Sequence, residues 1–265
     1  MKNKNIFMIA TVMLISAACQ MNSTKEGKSK ATDANEQVNN MKEMTHEKGT
    51  LDSLLNERRV AFSNTASDEK KQVYAEGLES IKNSGIIDKA LNIGDKAPDF
   101  SLNNQKGEPV TLYNELKNGP VILTWYRGGW CPYCNITLHF LQEKLPDFKK
   151  AGASLLALTP ELPDQSLSTT EKHNLEFLVL SDVANKIGKQ YGVVFQLTNG
   201  VADIYQKSFG LHEYNGDETN ELPLAATYVI DTNGIIQYAF LDADYRNRAE
   251  PDEILKALAE IKAKN

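Results

Sequence analysis

Apolar and polar positions divide this chain into unequal stretches. Residues 20–48 are rich in Ser, Thr, Asn, Lys and Glu and carry almost no large apolar side chains. A stretch of that kind buries no core, so 19–48 reads as a disordered tether. From Leu51 onward apolar positions recur at helical steps: Leu51, Leu55 and Phe62, then Val73, Gly77 or Leu78, and Ile81. They predict two helices, the second stopped by Ser84-Gly85, and together a helical hairpin over 49–91.

After Ile93 the period changes. A short strand is expected near Ser101-Leu102 and another at Val110-Thr111-Leu112, across a turn at Gly107-Glu108. Val121 to Tyr126 is a continuous apolar run and predicts a buried strand. Behind it Cys134, Leu138, Leu141, Leu145 and Phe148 mark one face of a long helix. Further strands are expected at Ala153–Thr159 and Glu176–Leu180, and a helix at Val183–Tyr191. Leu224–Ile230 and Ile235–Leu241 predict a strand pair joined by the turn signal Asp231-Thr232-Asn233-Gly234. A last helix begins at Glu250-Pro251, with Ile254, Leu255, Leu258 and Ile261 on its apolar face. The alternation predicts an α/β domain over 92–265, a mixed sheet with helices on both faces. The segment from Thr198 to Asn220 is too long for an ordinary connection, so helical or functional content is expected there.

The chain has 265 residues, 41% of them hydrophobic, which suits one sizeable core with appendages. Its net charge is -6 with no basic patch, which argues against nucleic-acid binding. Residues 1–18 read as an export signal: Lys2 and Lys4 precede a short apolar run from Ile6 to Ala18. Ser16-Ala17-Ala18 sits directly before Cys19, as in bacterial lipoprotein signals, although Ser16 stands where leucine is usual. Cys19 is therefore the expected lipidation site, with simple cleavage after Ala18 as the alternative. Either way the protein is expected outside the cytoplasm, on the periplasmic side of a bacterial membrane. In such an oxidising compartment a dithiol needs a dedicated electron source.

That dithiol is Cys131-Pro132-Tyr133-Cys134, set between the apolar strand and the long helix and preceded by Gly128-Gly129-Trp130. Neighbouring positions on a helical turn bring two cysteines within reach of a disulfide. A helix N-terminus also favours the thiolate, the reactive form of the thiol. The other reading is half of a zinc site, but zinc takes four ligands and no partner spacing supplies them. The helical stripe places Cys134 in the core and Cys131 at the helix mouth, as the more exposed sulfur. His173 and His212 are isolated and read as surface residues. Asp242-Ala243-Asp244-Tyr245 reads as a turn rather than a cation site.

The lead-in Gly94-Asp95-Lys96-Ala97-Pro98-Asp99-Phe100, the stretch Tyr126 to Cys134, and Thr227-Tyr228-Val229-Ile230-Asp231 with Asn233-Gly234 resemble the peroxiredoxin branch of the thioredoxin superfamily, in a subgroup with C-x-x-C. The resemblance covers about two thirds of the chain. It implies a thioredoxin-like fold and a thiol-dependent peroxidase acting on hydrogen peroxide or organic hydroperoxides. Cys131 and Cys134 would alternate between dithiol and disulfide, a thioredoxin-like reductant would recycle them, and no cofactor is required. A thiol–disulfide oxidoreductase is the alternative. The family motif Pro-x-x-x-Thr-x-x-Cys places Cys134 at the peroxidatic position, Cys131 at the Thr and Arg127 at the Pro. Thioredoxin-like chemistry assigns the two sulfurs the other way round. Both assignments stand at this point. Ala225 occupies the place of the family's late arginine, or of the thioredoxin cis-proline, and Pro223 matches only with a register shift. Arg127 fits either the missing positive charge or a solvated strand end. Tyr126 fits either the peroxide pocket or the core. Trp130 and Tyr133 fit a shield around the sulfurs or simple packing.

Overall fold

The structure, a computed structural model, describes residues 49–264. The expected signal (1–18), Cys19 and the tether (19–48) lie outside the described residues.

Two helices open the described chain, α1 (Leu51–Thr65) and α2 (Asp68–Asn83). Each starts on a hydroxyl cap. Thr50 accepts from the Ser53 N–H at 3.2 Å and Ser67 from the Lys70 N–H at 3.3 Å, satisfying amides the helix itself leaves free. Leu51, Leu54 and Leu55 of α1 are buried, as are Gly77, Leu78 and Ile81 of α2. Phe62 meets Tyr74 edge-on at 5.4 Å and links the two helices. One turn, α3 (Ile86–Lys89), follows Gly85, whose φ of 66° is easy for glycine alone.

A small ribbon pairs β1 (Ser101–Asn103) with β2 (Pro109–Thr111), and Leu112 opens the short α4 (Leu112–Glu115) instead of extending the ribbon. The central strand β3 (Val121–Trp125) is buried at every position. It leads through the glycine turn into α5 (Pro132–Lys150), then β4 (Ser154–Thr159), α6 (Pro163–His173) and β5 (Leu178–Ser181). β3, β4 and β5 are parallel, and strands buried on both faces read as unbroken apolar runs. β8 (Thr227–Ile230) pairs antiparallel with β3, and β9 (Ile236–Phe240) with β8. The sheet order β5-β4-β3-β8-β9, with helices packed on it, is the expected thioredoxin-like architecture. A turn with Gly234 at φ 81° joins β8 to β9. The last helix is α10 (Pro251–Lys264), acidic in its first turn and basic in its last, as the helix dipole favours.

Four expectations change. Val183–Tyr191 is not one helix. The Asp182 carboxylate accepts from the Ile187 and Gly188 N–H groups, both at 2.9 Å, and Ala184 and Asn185 adopt left-handed φ values. This cap splits the segment into a 3-10 turn (Val183–Asn185) and α7 (Lys186–Gln190). The strand expected from Leu224 starts at Thr227. Before it, β7 (Glu221–Pro223) pairs with β6 (Val194–Gln196) in a separate ribbon, with Pro223 opposite Val194. Between those two strands lie α8 (Asn199–Phe209) and α9 (Leu211–Asn215), the content of the long 198–220 segment. Helix α6 had no apolar signal because its inner face is polar: Ser166, Thr169, Thr170 and His173 are buried. His173 is thus not a surface residue. Burial, with Lys172 and His139 nearby, lowers it to about 4, so it is neutral at pH 7.

Helix α1 packs on α5 and α2 on α8, so the N-terminal helices cover elements that frame the cysteine helix. Leu55 is 1% exposed in that contact. Leu55→Ala is expected to lower the unfolding free energy by about 2–5 kcal/mol, read from urea denaturation.

Candidate active site

The cysteine pair sits where a buried strand meets a helix start. After Trp125 the chain leaves the sheet and turns at Gly128, whose φ is 148°. A side chain on Gly128 would strike the Trp130 indole, and one on Gly129 would strike Thr169 on α6. Only glycine lets the turn run this close to its neighbours. The Gly129 N–H donates to Glu161 Oε1 at 2.8 Å, and the Cys131 N–H to Gly128 O at 3.0 Å. Cys131 is the residue that caps α5, and Pro132 takes the first helical position, where no N–H is needed.

Both cysteines are free thiols and both are 0% exposed, so the expected contrast in exposure is absent. Cys131 at the helix mouth is covered by the aromatic side chains that surround Arg127. The two sulfurs differ in charge environment instead. Burial alone would raise the Cys131 thiol. A hydrogen bond with Cys134 and the guanidinium groups of Arg127 and Arg248 outweigh it and hold Cys131 well below the usual thiol range. For Cys134 burial comes first, the Cys131 sulfur adds to it, and the thiol is pushed well up.

Arg127 is 2% exposed, which no solvated strand end would be. One amino group donates to Cys131 Sγ at 3.1 Å and the other to Tyr205 Oη at 2.9 Å. Its guanidinium lies 3.7 Å from the Tyr245 ring centre, 5.1 Å from Trp130 and 5.3 Å from Tyr205. Trp130 in turn stacks on Phe209 at 5.3 Å. Tyr133 meets Tyr245 edge-on at 5.6 Å. Burial pushes Tyr74 and Tyr205 up to about 12, so both hydroxyls keep their protons beside Cys131. Tyr126 faces the other way: its hydroxyl donates to Glu161 Oε2 at 2.8 Å.

Several residues here carried no sequence signal. Tyr205 comes from α8, Glu161 follows β4, and Tyr245 and Arg248 come from the loop after β9. Arg248 is 8% exposed and donates to Cys134 Sγ at 3.4 Å. Ala225 is buried between β7 and β8 and brings no charge, and Pro223 is engaged in its ribbon. The Asp242–Tyr245 run is a turn, with Asp244 gripping Arg246 through two bonds of 2.8 and 2.7 Å. Among the described residues no three His, Cys, Asp or Glu side chains are grouped to hold a metal.

A buried dithiol at a helix start, on a thioredoxin-like sheet and beside two arginines, defines a thiol oxidoreductase. Comparison with known proteins gives the family. The model of the AhpC/TSA family matches residues 93–239. Peroxiredoxin Q, chloroplastic, of Sedum lineare is 31% identical over 173 residues, which are 64% of this chain and 78% of that protein. Peroxiredoxin Bcp of Escherichia coli (strain K12) is 29% identical over 170 residues, covering 64% and 97%. In fold, the crystal structure of peroxidoxin BcpB from Mycobacterium tuberculosis matches with a TM-score of 0.50 at 22% identity, over 66% of this chain and 99% of that one. The reduced 2-Cys peroxiredoxin of Plasmodium vivax matches at 0.52 and 21% identity, over 65% and 83%. The chain belongs to the AhpC/TSA family of peroxiredoxins, which are thiol-dependent peroxidases.

Removing the guanidinium tests the charge balance of the pair. Arg127→Ala is expected to raise the Cys131 thiol toward the ordinary thiol range. Thiolate absorbance titrated against pH reads the shift, in a Cys134→Ser background so that one sulfur titrates. The depressed value means that wild type keeps its thiolate as pH falls below the ordinary thiol range, whereas the variant loses it at higher pH.

Proposed function

We propose that Cys131 is the peroxidatic sulfur and Cys134 the resolving one. The observation that carries this is the 3.1 Å contact between Arg127 and Cys131 Sγ, at a helix N-terminus. The Cys131 thiolate attacks the O–O bond of the peroxide. One oxygen stays on sulfur as sulfenic acid and the other leaves as alcohol or water. Arg127 Nε is buried without a hydrogen-bond partner, which leaves a donor for a peroxide oxygen. A cleft lined by Tyr74, Leu78, Val201, Tyr205 and Tyr245 ends on Arg127; its free space of about 10 Å³ is that of a single water, so a peroxide enters this way as these side chains part. Cys134 then condenses with the sulfenic acid, and a thioredoxin-like donor reduces the disulfide by exchange.

The alternative is direct action on protein or small-molecule disulfides, for which C-x-x-C at a helix start is apt. Burial weighs against it for the dithiol state. Neither sulfur is exposed, and a macromolecular disulfide needs contact with the attacking sulfur, whereas a peroxide needs only room for two oxygens. Recycling by a protein thiol likewise requires one sulfur of the oxidised pair to be uncovered.

Stoichiometric peroxide followed by mass spectrometry tests the assignment. Cys134→Ser is expected to accumulate a trappable sulfenic acid on Cys131, and Cys131→Ser to consume peroxide far more slowly. Sulfenic acid on Cys134 in Cys131→Ser, with Cys134→Ser inert, would reverse the roles. Insulin reduction without peroxide consumption by wild type would favour the alternative.

The same proposal places the enzyme outside the cytoplasm, anchored by lipid at Cys19 on the periplasmic side. The support is the run Ile6–Ala18 with Ser16-Ala17-Ala18 directly before the cysteine. A fatty-acid label is expected to enter the wild-type protein and not Cys19→Ser. Label in neither would refute the anchor.

A further inference from the structure

With Cys131 attacking peroxide, Cys134 faces its own difficulty. It must act as a nucleophile from a site with 0% exposure, where burial disfavours the thiolate. One cation outside the Arg127 cluster reaches it: an amino group of Arg248, 3.4 Å from Cys134 Sγ. None of the ion pairs among the described residues includes Arg248. No carboxylate is paired with its charge, and of its two acceptors, the Asn247 carbonyl and the Cys134 sulfur, only the sulfur can become an anion.

The guanidinium is held in place. The other amino group donates to Asn247 O at 2.9 Å. Asn247 is tied to Asp242 Oδ2 by its own amide at 2.8 Å, and it accepts from Arg59 of α1 at 3.0 Å. Arg59 also reaches Arg246 O at 3.4 Å. The loop bearing Arg248 is thus closed on itself and pinned by the N-terminal helices.

We infer that Arg248 is a second catalytic arginine, acting by direct contact in the resolving step: it holds the negative charge on Cys134 Sγ while that sulfur attacks the Cys131 sulfenic acid. The inference rests on the assignment of Cys131 as the attacking sulfur. In the step the Cys134 thiol gives up its proton and the S–S bond forms. The S–O bond of the sulfenic acid breaks, and hydroxide leaves with that proton as water. No further oxidant or reductant enters. The direct contacts of the two arginines divide between the two sulfurs, Arg127 on Cys131 and Arg248 on Cys134, although the charge of Arg248 also favours the Cys131 thiolate. The charge that the resemblance places at Ala225 comes here from the loop before α10, and it acts on the other half of the reaction.

Single-turnover kinetics of the reduced full chain with stoichiometric hydrogen peroxide separate the two steps. Sulfenic acid is trapped and counted by mass spectrometry, and disulfide by thiol loss. Arg248→Gln keeps a donor for Asn247 O but no charge. It is expected to slow disulfide closure roughly tenfold to a hundredfold, the worth of a hydrogen bond from a charged group. Initial attack should slow less than closure, because Arg248 acts on Cys131 only through space whereas Arg127 contacts that sulfur. The pH profile of closure should move to higher pH, and Arg248→Lys should recover part of the rate. A purely structural role would move neither the profile nor the lysine rescue. Closure in Arg248→Gln at the wild-type rate, an unshifted profile, or equal slowing of both steps overturns the inference. If Cys134→Ser traps sulfenic acid on Cys131 and Arg248→Gln still closes normally, only the role of Arg248 falls. If the sulfenic acid forms on Cys134 instead, the assignment beneath it falls as well.

Discussion

A guanidinium buried without a carboxylate is the constraint around which this site is built. Arg127 is 2% exposed, and none of the ion pairs among the described residues contains it. Removing a cation from water costs several kcal/mol unless something replaces the lost hydration. Here the replacements are the Tyr205 hydroxyl, three aromatic faces and the Cys131 sulfur. The aromatic contacts contribute on the order of 0.5–2 kcal/mol each. Only the sulfur can become an anion at neutral pH, because burial keeps the tyrosine hydroxyls protonated. The burial of Arg127 and the lowered Cys131 thiol are therefore linked, since the thiolate and the guanidinium each offset the other's desolvation.

The same constraint explains why so much of the chain converges on a few atoms. The strand end delivers Arg127, α5 the two sulfurs, α8 Tyr205, α2 Tyr74, and the loop after β9 Tyr245 and Arg248. That loop is irregular, and irregular backbone needs its own fastening. Asp242 and Asp244 supply it from within, and α1 from outside. Beyond the Arg59 contacts, Glu250 accepts from the Asp52 N–H at 2.6 Å. Helix α1 thus fastens a loop about 190 residues away along the sequence, while α2 brings Tyr74 to the site.

Legibility in the sequence followed the range of the interaction. The sheet, α5 and the placement of the dithiol were readable because apolar period and a local motif carry them. Helix α6 was not, since its inner face is Ser166, Thr169, Thr170 and His173, and a buried polar face has no apolar period. The break at Ala184–Asn185 depends on one carboxylate, Asp182, capping two amides several residues on, which a window average misses. Arg127 was visible through its place beside the motif. Arg248 was not: it lies 114 positions from Cys134, and nothing local marks an arginine as turned inward. The Asp242–Tyr245 run drew notice for its acids, yet its consequence lies in the residues it holds.

The remaining buried acid shows why the arrangement is stable against self-neutralisation. Glu161 is 0% exposed and follows β4, close to the same turn. Burial pushes its carboxyl up, against hydrogen bonds from the Gly129 N–H, Tyr126 and Thr159. A salt bridge from Glu161 to Arg127 would relieve both desolvated groups, and it would remove the field that keeps Cys131 ionised. Both Glu161 oxygens are instead engaged elsewhere: Gly129 on Oε1, and Tyr126 with Thr159 on Oε2. Arg127 meanwhile points to Cys131 and Tyr205. Gly128 and Gly129 follow Arg127 directly in the chain, and the Gly129 N–H donates to the acid. Gly129 thus meets two demands at once: its missing side chain leaves room for Thr169, and its N–H supplies a donor to the buried acid.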